Sequence, residues 1–196
     1  NPKVQGVAFT GSTEGGRTVS ELCGKHIKKC VLELGGSDPF IVLKDADINK
    51  AAKDRFNSRI INNGQACINA KRFIVHNEVY HEFKQKLIKE IENCKLGDPL
   101  EVTTTIGPLA RYDLYERLRD QVLTAIEDGV EVGHGSSRRL ENPPNPKKGL
   151  YFHPIILEEV EKDNIAYHQE LFGPVFTLFK VRSEIEALEI GKIFSI

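Results

Sequence analysis

The chain has 196 residues, of which 40% are hydrophobic, so it can bury the core of one large domain or slightly more. Its 27 basic and 28 acidic residues leave a formal charge of −1, which excludes strong electrostatic attraction to nucleic acid or to an anionic membrane surface. No apolar run approaches the roughly 20 residues that span a bilayer, so we expect no membrane span, no signal peptide and a soluble cytoplasmic protein.

The first part of the chain predicts a strand, a helix and a second strand. Val4–Thr10 has the composition of a strand, a glycine-rich turn follows, and Arg17–Lys25 has the spacing of a helix. Lys29–Leu34 predicts the second strand, which ends at Gly35-Gly36. A glycine pair is a natural place for the chain to pass between domains, so we predict a boundary after Gly36.

The rest of the chain alternates between helical and strand patterns. Strands are predicted at Pro39–Leu43, Arg72–His76, Gly129–Gly133, Tyr151–Leu157 and Pro174–Val181. Helices are predicted at Ala51–Ile61, with Asp47 as N-cap, and at Glu78–Cys94, Tyr112–Asp128 and Glu184–Ile190, while Ser136–Lys148 reads as a surface loop. This alternation predicts an α/β fold with a largely parallel sheet flanked by helices.

Two residues indicate covalent chemistry. Cys67 follows a predicted helix end in a glycine-containing turn, where a thiol can attack a carbonyl carbon. Glu33 lies among apolar residues of a strand, where a carboxylate with a raised pKa could activate water. Both residues also have ordinary explanations, because free cysteines are often small core residues and Glu33 could face outward or form a buried ion pair. Cys23, Cys30 and Cys94 fit regular elements and are interpreted as structural thiols.

Two further segments could bind a nucleotide. Gly11 and Ser12 lie where a strand meets a helix, so backbone N–H groups and a hydroxyl could face a phosphate. In Glu170-Leu171-Phe172-Gly173-Pro174, Glu170 could accept sugar hydroxyls and Phe172 could offer a flat apolar surface. Taken singly, each segment is also an ordinary turn. No histidine or cysteine spacing suits a metal site, and none is expected.

In combination, four motifs resemble the aldehyde dehydrogenase superfamily along the whole chain. They are Thr10-Gly11-Ser12-Thr13, Glu33-Leu34-Gly35-Gly36, Gly64-Gln65-Ala66-Cys67 and Glu170-Leu171-Phe172-Gly173-Pro174. Two further segments, Gly36–Leu43 and Ala70–Val75, are similar to succinate-semialdehyde dehydrogenase-like members. The resemblance implies that residues 1–36 are the end of a Rossmann-like dinucleotide-binding domain and that residues 37–196 are a catalytic domain, truncated at its end.

The resemblance also implies roles in oxidising a small aldehyde. Cys67 is expected to form a thiohemiacetal and then a thioester, with its own backbone N–H as one oxyanion donor, and Glu33 is expected to activate the hydrolytic water. The cofactor is expected to be NAD or NADP. Ser12 would contact its pyrophosphate, Gly11 would lie beside its nicotinamide half, Glu170 would bind its nicotinamide ribose, and Phe172 would cover the adjacent ring face.

We expect the chain to be a fragment of such an enzyme, which is itself expected to be a homo-oligomer. Family members carry most of the nucleotide-binding sheet and a second oxyanion donor upstream of the region that this chain matches. Cofactor binding and aldehyde oxidation by these 196 residues alone are therefore not expected. Two alternatives stay open, a cofactor-free thiol esterase and a catalytically silent domain. Calorimetry with NAD(H) and turnover of an activated ester would separate the three interpretations.

Overall fold

The computed structural model describes residues 1–141 and 149–192, which form two compact units, Asn1–Gly36 and the residues from Ser37 onward. The first unit contains β1 (Gly6–Thr10), α1 (Thr13–Lys25) and β2 (Lys29–Glu33). The two strands pair in parallel, with Thr10 opposite Glu33, so α1 is the crossover of a β-α-β unit. The carboxyl ends of both strands therefore meet at one edge of this small sheet.

The second unit is built on a five-stranded sheet in the order β3-β4-β7-β6-β5. Its strands are β3 (Asp38–Val42), β4 (Ala70–His76), β5 (Glu131–His134), β6 (Ile155–Glu158) and β7 (Val175–Val181). Neighbours from β3 to β6 are parallel, and β5 pairs antiparallel at the edge. All seven residues of β4 are buried, as expected for a central strand of a sheet covered on both faces.

Helices cover both faces of this sheet. They are α2 (Ile48–Ile60), α3 (Asn77–Asn93), α4 (Tyr112–Glu127), α5 (Arg138–Glu141), α6 (Ile165–His168) and α7 (Glu184–Lys192). The alternation of side chains along β7 divides the core in two. Phe176 and Leu178 pack in the cluster that α2 and α3 supply, whereas Val175 and Phe179 pack in the cluster that contains α4 and α6. The predicted α/β fold, with sheets flanked by helices, is confirmed.

Local details differ from the sequence prediction. The strand predicted from Tyr151 begins only at Ile155, because the preceding Pro154 has no N–H to donate to a ladder. The predicted loop Ser136–Lys148 contains the short helix α5, and its residues 142–148 lie outside the described ranges. The helix α6 was not predicted. Within the described ranges, every helix is too short or too polar to cross a membrane.

Candidate functional site

The candidate nucleophile lies on a connection between α2 and the central strand β4. A 3-10 turn, Ile61–Gly64, follows α2, and Asn62, Asn63 and Gly64 all adopt left-handed backbone conformations, with φ of 51°, 58° and 80°. Asparagine and glycine tolerate this region best, so the Asn-Asn-Gly sequence suits the sharp change of direction. Cys67 then lies on a turn that the Asn69 N–H closes on the Ala66 carbonyl at 3.2 Å.

Gly64 lies directly against the second motif of this unit. A Cβ at Gly64 would be 2.5 Å from the carbonyl oxygen of Gly173 and 2.7 Å from the nitrogen of Pro174. Backbone atoms cannot move aside as a flexible side chain can, so only glycine allows this approach. The structure therefore brings the Gly64–Cys67 motif and the Glu170–Pro174 motif together.

Arg59, on the last turn of α2, joins the same two motifs through hydrogen bonds. Its side chain is fully buried, and it donates to the carbonyls of Val175 at 2.6 Å, Leu171 at 2.5 Å and Gly64 at 3.3 Å. Burial lowers the pKa of Arg59 to about 9, with the Glu170 carboxylate opposing the shift, so the guanidinium stays charged at neutral pH. A buried guanidinium that donates to three carbonyls makes a rigid junction.

Lys71 makes a second junction, between the Cys67 turn and Glu170. Its ammonium donates to the carbonyls of Cys67 at 2.9 Å, Ala66 at 3.2 Å and Asn69 at 3.3 Å, and lies 3.0 Å from Glu170 Oε1. The Lys71 side chain is 3% exposed, whereas that of Glu170 is 20% exposed. Burial lowers the pKa of Lys71, and the Glu170 carboxylate counteracts that effect. The two motifs thus share a buried cation.

Two amide side chains fasten the turn to the segment that precedes α4. Asn63 accepts from the Gly107 N–H at 2.7 Å and donates to the Pro108 carbonyl at 3.2 Å. Gln65 accepts from the Ala110 N–H at 3.0 Å. These bonds leave Asn63 and Gln65 no freedom to face a substrate, and they hold the backbone on both sides of Gly64.

Glu170 and Phe172 lie on a connection that leads into β7. The Gln121 side chain of α4 donates to the Glu170 carbonyl at 3.2 Å and to the Gln169 side chain at 2.8 Å. Phe172 is half-buried, and Leu171 beside it is buried in the core. The backbone that carries Glu170 is therefore held from α4 and from α2, while its carboxylate stays partly accessible.

Cys67 itself is partly exposed, and Ile68 beside it is 72% exposed. Within the described residues, the Cys67 N–H has no hydrogen-bond acceptor. Burial raises the pKa of the Cys94 thiol, and burial together with the neighbouring Cys30 raises that of Cys23. A raised pKa reduces the thiolate fraction at neutral pH, so Cys23 and Cys94 are poor nucleophiles.

The first unit holds the other predicted site residues. Ser12 is the N-cap of α1 and accepts from the Gly15 N–H at 3.1 Å. A Cβ at Gly11 would lie 2.6 Å from the tip of the Phe9 ring, so a larger residue here would require that ring to shift. The Gly11 N–H donates to the Glu33 carbonyl at 3.0 Å, which brings the predicted phosphate turn beside the predicted base.

Glu33 is exposed in this unit, as the last residue of β2. The strand alternates between exposed and half-buried positions, and Glu33 shares the exposed face with Lys29 and Val31. The apolar setting suggested by the sequence is therefore not found, because strand alternation turns this side chain outward. Of the two explanations left open, the structure favours the outward-facing carboxylate.

Sequence reasoning missed Arg59 and Lys71, although both leave a signal. The buried residues of α2 are Ile48, Ala52, Arg55, Phe56 and Arg59, so two arginines occupy the apolar face of an amphipathic helix. Lys71 stands beside Arg72 at the start of β4, a strand whose seven residues are all buried. A charge at a core position is costly unless it is paired, so a buried arginine or lysine in such a pattern predicts a partner, which Arg59 and Lys71 both have. No group of three or more potential metal ligands occurs among the described residues.

Comparison with known proteins agrees with the four motifs. The profile of the "Aldehyde dehydrogenase family" matches residues 1–191. Succinate-semialdehyde dehydrogenase [NADP(+)] of Deinococcus radiodurans is 44% identical over 191 residues, and that of Mycobacterium avium is 39% identical, each match covering 97% of this chain. The chain spans 39% of the length of both relatives.

Solved structures give the same result. Succinic semialdehyde dehydrogenase from Streptococcus pyogenes, solved in complex with NADP+, is 40% identical with a TM-score of 0.91, the match covering 99% of this chain and 41% of that one. Lactaldehyde dehydrogenase from Escherichia coli is 34% identical, also with a TM-score of 0.91, and 40% of it is covered. The family profile, the relatives and the shared fold agree, and the chain belongs to the aldehyde dehydrogenase family.

Proposed function

We propose that this chain supplies the thiol nucleophile, the hydrolytic base and part of the cofactor site of an NADP-dependent aldehyde dehydrogenase. The observation that carries the proposal is the shared framework of Cys67 and Glu170, which Lys71 and Arg59 hold together. The names of the relatives support NADP over NAD, and they support succinate semialdehyde as the substrate. Residues 1–36 would belong to the cofactor domain and residues 37–196 to the catalytic domain.

The residues present fit such a cofactor at two places. Glu170 is partly accessible, and its ion pair with Lys71 uses Oε1, which leaves Oε2 to accept a ribose hydroxyl. Ser12 caps a 13-residue helix whose positive end suits a pyrophosphate, and Gly11 lies just before it. Phe172 would cover the ring face next to the ribose. NADP+, when bound, would supply the hydride acceptor.

The proposal assigns the following chemistry to the chain's own residues. Cys67 Sγ adds to the aldehyde carbon, and the Cys67 N–H donates to the oxygen that becomes negative. Loss of hydride from that carbon leaves a thioester on Sγ. Glu33 takes a proton from water as the water attacks the thioester, and the carbon–sulfur bond breaks to release the acid and the thiol.

The test uses the full-length protein, meaning residues 1–196 with whatever chain its gene encodes on either side. Reduction of NADP+ by succinate semialdehyde is expected in the parent and is expected to disappear in Cys67→Ser, while Cys94→Ser keeps the parental rate. If Cys67→Ser oxidised the aldehyde at the parental rate, Cys67 would not be the nucleophile. Hydrolysis of an activated ester without any NADP+ binding would favour the thiol esterase, and neither activity would favour a silent domain.

A further inference from the structure

Lys71 has more acceptors than it has protons to donate. An ammonium carries three N–H donors, and four oxygens lie within 3.3 Å of this one. The carbonyls of Ala66, Cys67 and Asn69 accept hydrogen bonds from it, whereas Glu170 Oε1 is an ion-pair neighbour at 3.0 Å that is buried without a hydrogen bond. The carboxylate and the carbonyls therefore compete for the same donors. A change that weakens the attraction between the Glu170 carboxylate and the Lys71 ammonium therefore strengthens the hydrogen bonds from the ammonium to the Cys67 turn.

One of these carbonyls belongs to a peptide unit of particular interest. The Ala66 carbonyl and the Cys67 N–H are the two ends of the same amide, and that N–H has no acceptor within the described residues. Donation to the carbonyl end polarises the amide and makes its N–H a stronger donor. Lys71 thus acts on the amide whose N–H the proposed function assigns to the oxyanion, without itself being assigned a contact with the substrate.

We propose that Lys71 is a positioning residue that couples Glu170 to the Cys67 turn, so that a ligand hydroxyl bound at Glu170 strengthens the oxyanion donor and activates the thiol. The proposal rests on the proposed function for the identity of that ligand. When a ribose hydroxyl donates a hydrogen bond to the Glu170 carboxylate, the carboxylate attracts the Lys71 ammonium less strongly. The hydrogen bonds from the ammonium to the carbonyls of the Cys67 turn then become stronger. Cofactor binding would in this way prepare the nucleophile for the aldehyde.

The coupling can be measured in the full-length protein without cofactor or aldehyde, through the rate at which iodoacetamide alkylates Cys67. Glu170→Gln is expected to raise that rate about three- to tenfold, because the neutral amide competes less than the carboxylate for the Lys71 ammonium. In a Lys71→Met background the same change is expected to have less than a twofold effect. An equal effect in both backgrounds would overturn the coupling.

Binding and turnover provide a second measurement. Lys71→Met is expected to weaken NADP+ binding about tenfold, as measured by calorimetry. It is also expected to lower kcat about tenfold with little change in the KM for the aldehyde. A missing oxyanion donor lowers the rate about 10²- to 10³-fold, and a mispositioned donor lowers it less. Lys71→Arg keeps the charge and is expected to recover part of both. If Lys71→Met does not fold, the rates of Cys67 alkylation in the parent, Glu170→Gln and Lys71→Arg test the coupling instead. Equal rates in all three proteins would refute the proposal.

The matched control is Lys84→Met, which removes another partly buried lysine paired with a glutamate. Lys84 contacts Glu158, the last residue of β6, at the carboxyl edge of the sheet, whereas Lys71 lies near the amino end of β4. The control is expected to leave Cys67 alkylation and NADP+ binding within twofold of the parent, and the same losses as in Lys71→Met would refute a specific role of Lys71.

Failure of the proposed function can be distinguished from failure of this proposal. A parent protein that reduces no NADP+ with any aldehyde would refute the proposed function, and the alkylation rates of the variants would still test the coupling.

Discussion

Replacing Gly64 with alanine tests whether the nucleophile turn depends on the close approach of two backbones. Alanine at φ +80° costs about 1–2 kcal/mol from backbone strain alone. The added Cβ would also meet the Gly173 carbonyl oxygen at 2.5 Å, and forcing such a group into a packed site typically costs about 1–3 kcal/mol more. The total, about 2–5 kcal/mol, is a large part of the stability of an ordinary domain, about 5–15 kcal/mol.

The matched control is Gly129→Ala, which has φ +100° but no heavy atom within 4 Å of the added Cβ. It carries the strain without the collision, so the difference between the two variants isolates the packing against Gly173. Urea unfolding followed by circular dichroism is the assay. With a slope of about 2–3 kcal/mol per molar, Gly64→Ala is expected to lower the midpoint by about 1–2 M and Gly129→Ala by less than 1 M. Equal midpoints in the two variants would refute the reasoning.

Three further predictions concern the chemistry. With limiting iodoacetamide, Cys67 is expected to be alkylated before Cys23, Cys30 and Cys94, and mass mapping that finds any of these three labelled first contradicts this. Burial raises the pKa of Cys23 and of Cys94, so the labelling of these two should approach that of Cys67 only as the pH rises. The 196 residues alone, which span 39% of the relatives' length, are expected to reduce no NAD or NADP with aldehydes, and robust reduction would contradict the prediction. In the full-length protein, Glu33→Gln is expected to give a burst of NADPH and a steady-state rate lower by about 10²- to 10⁴-fold, whereas the parental rate would show that Glu33 is a structural carboxylate.

The amino-acid sequence by itself determined the order of the strands and of the longer helices, and the kind of residue at each turn. Helical and strand periodicity are local properties, so the crossover helix of the first unit and the long helices of the second could be predicted from spacing. The Asn-Asn-Gly run likewise predicts a sharp turn before Cys67, because these residues tolerate left-handed backbone. The four motifs were sufficient to predict the family.

Only the tertiary structure decided how these parts are held. Arg59 donates to carbonyls 112 and 116 residues away, and Lys71 joins the Cys67 turn to a carboxylate on a distant connection, contacts that no local pattern contains. The outward direction of Glu33 also came from the folded unit, because an apolar stretch does not say which face of a strand is covered. Periodicity is a local property that indicates which positions of an element are apolar. The pairing of buried charges depends instead on which strands become neighbours. Parallel strands become neighbours only when distant parts of the chain come together in the sheet.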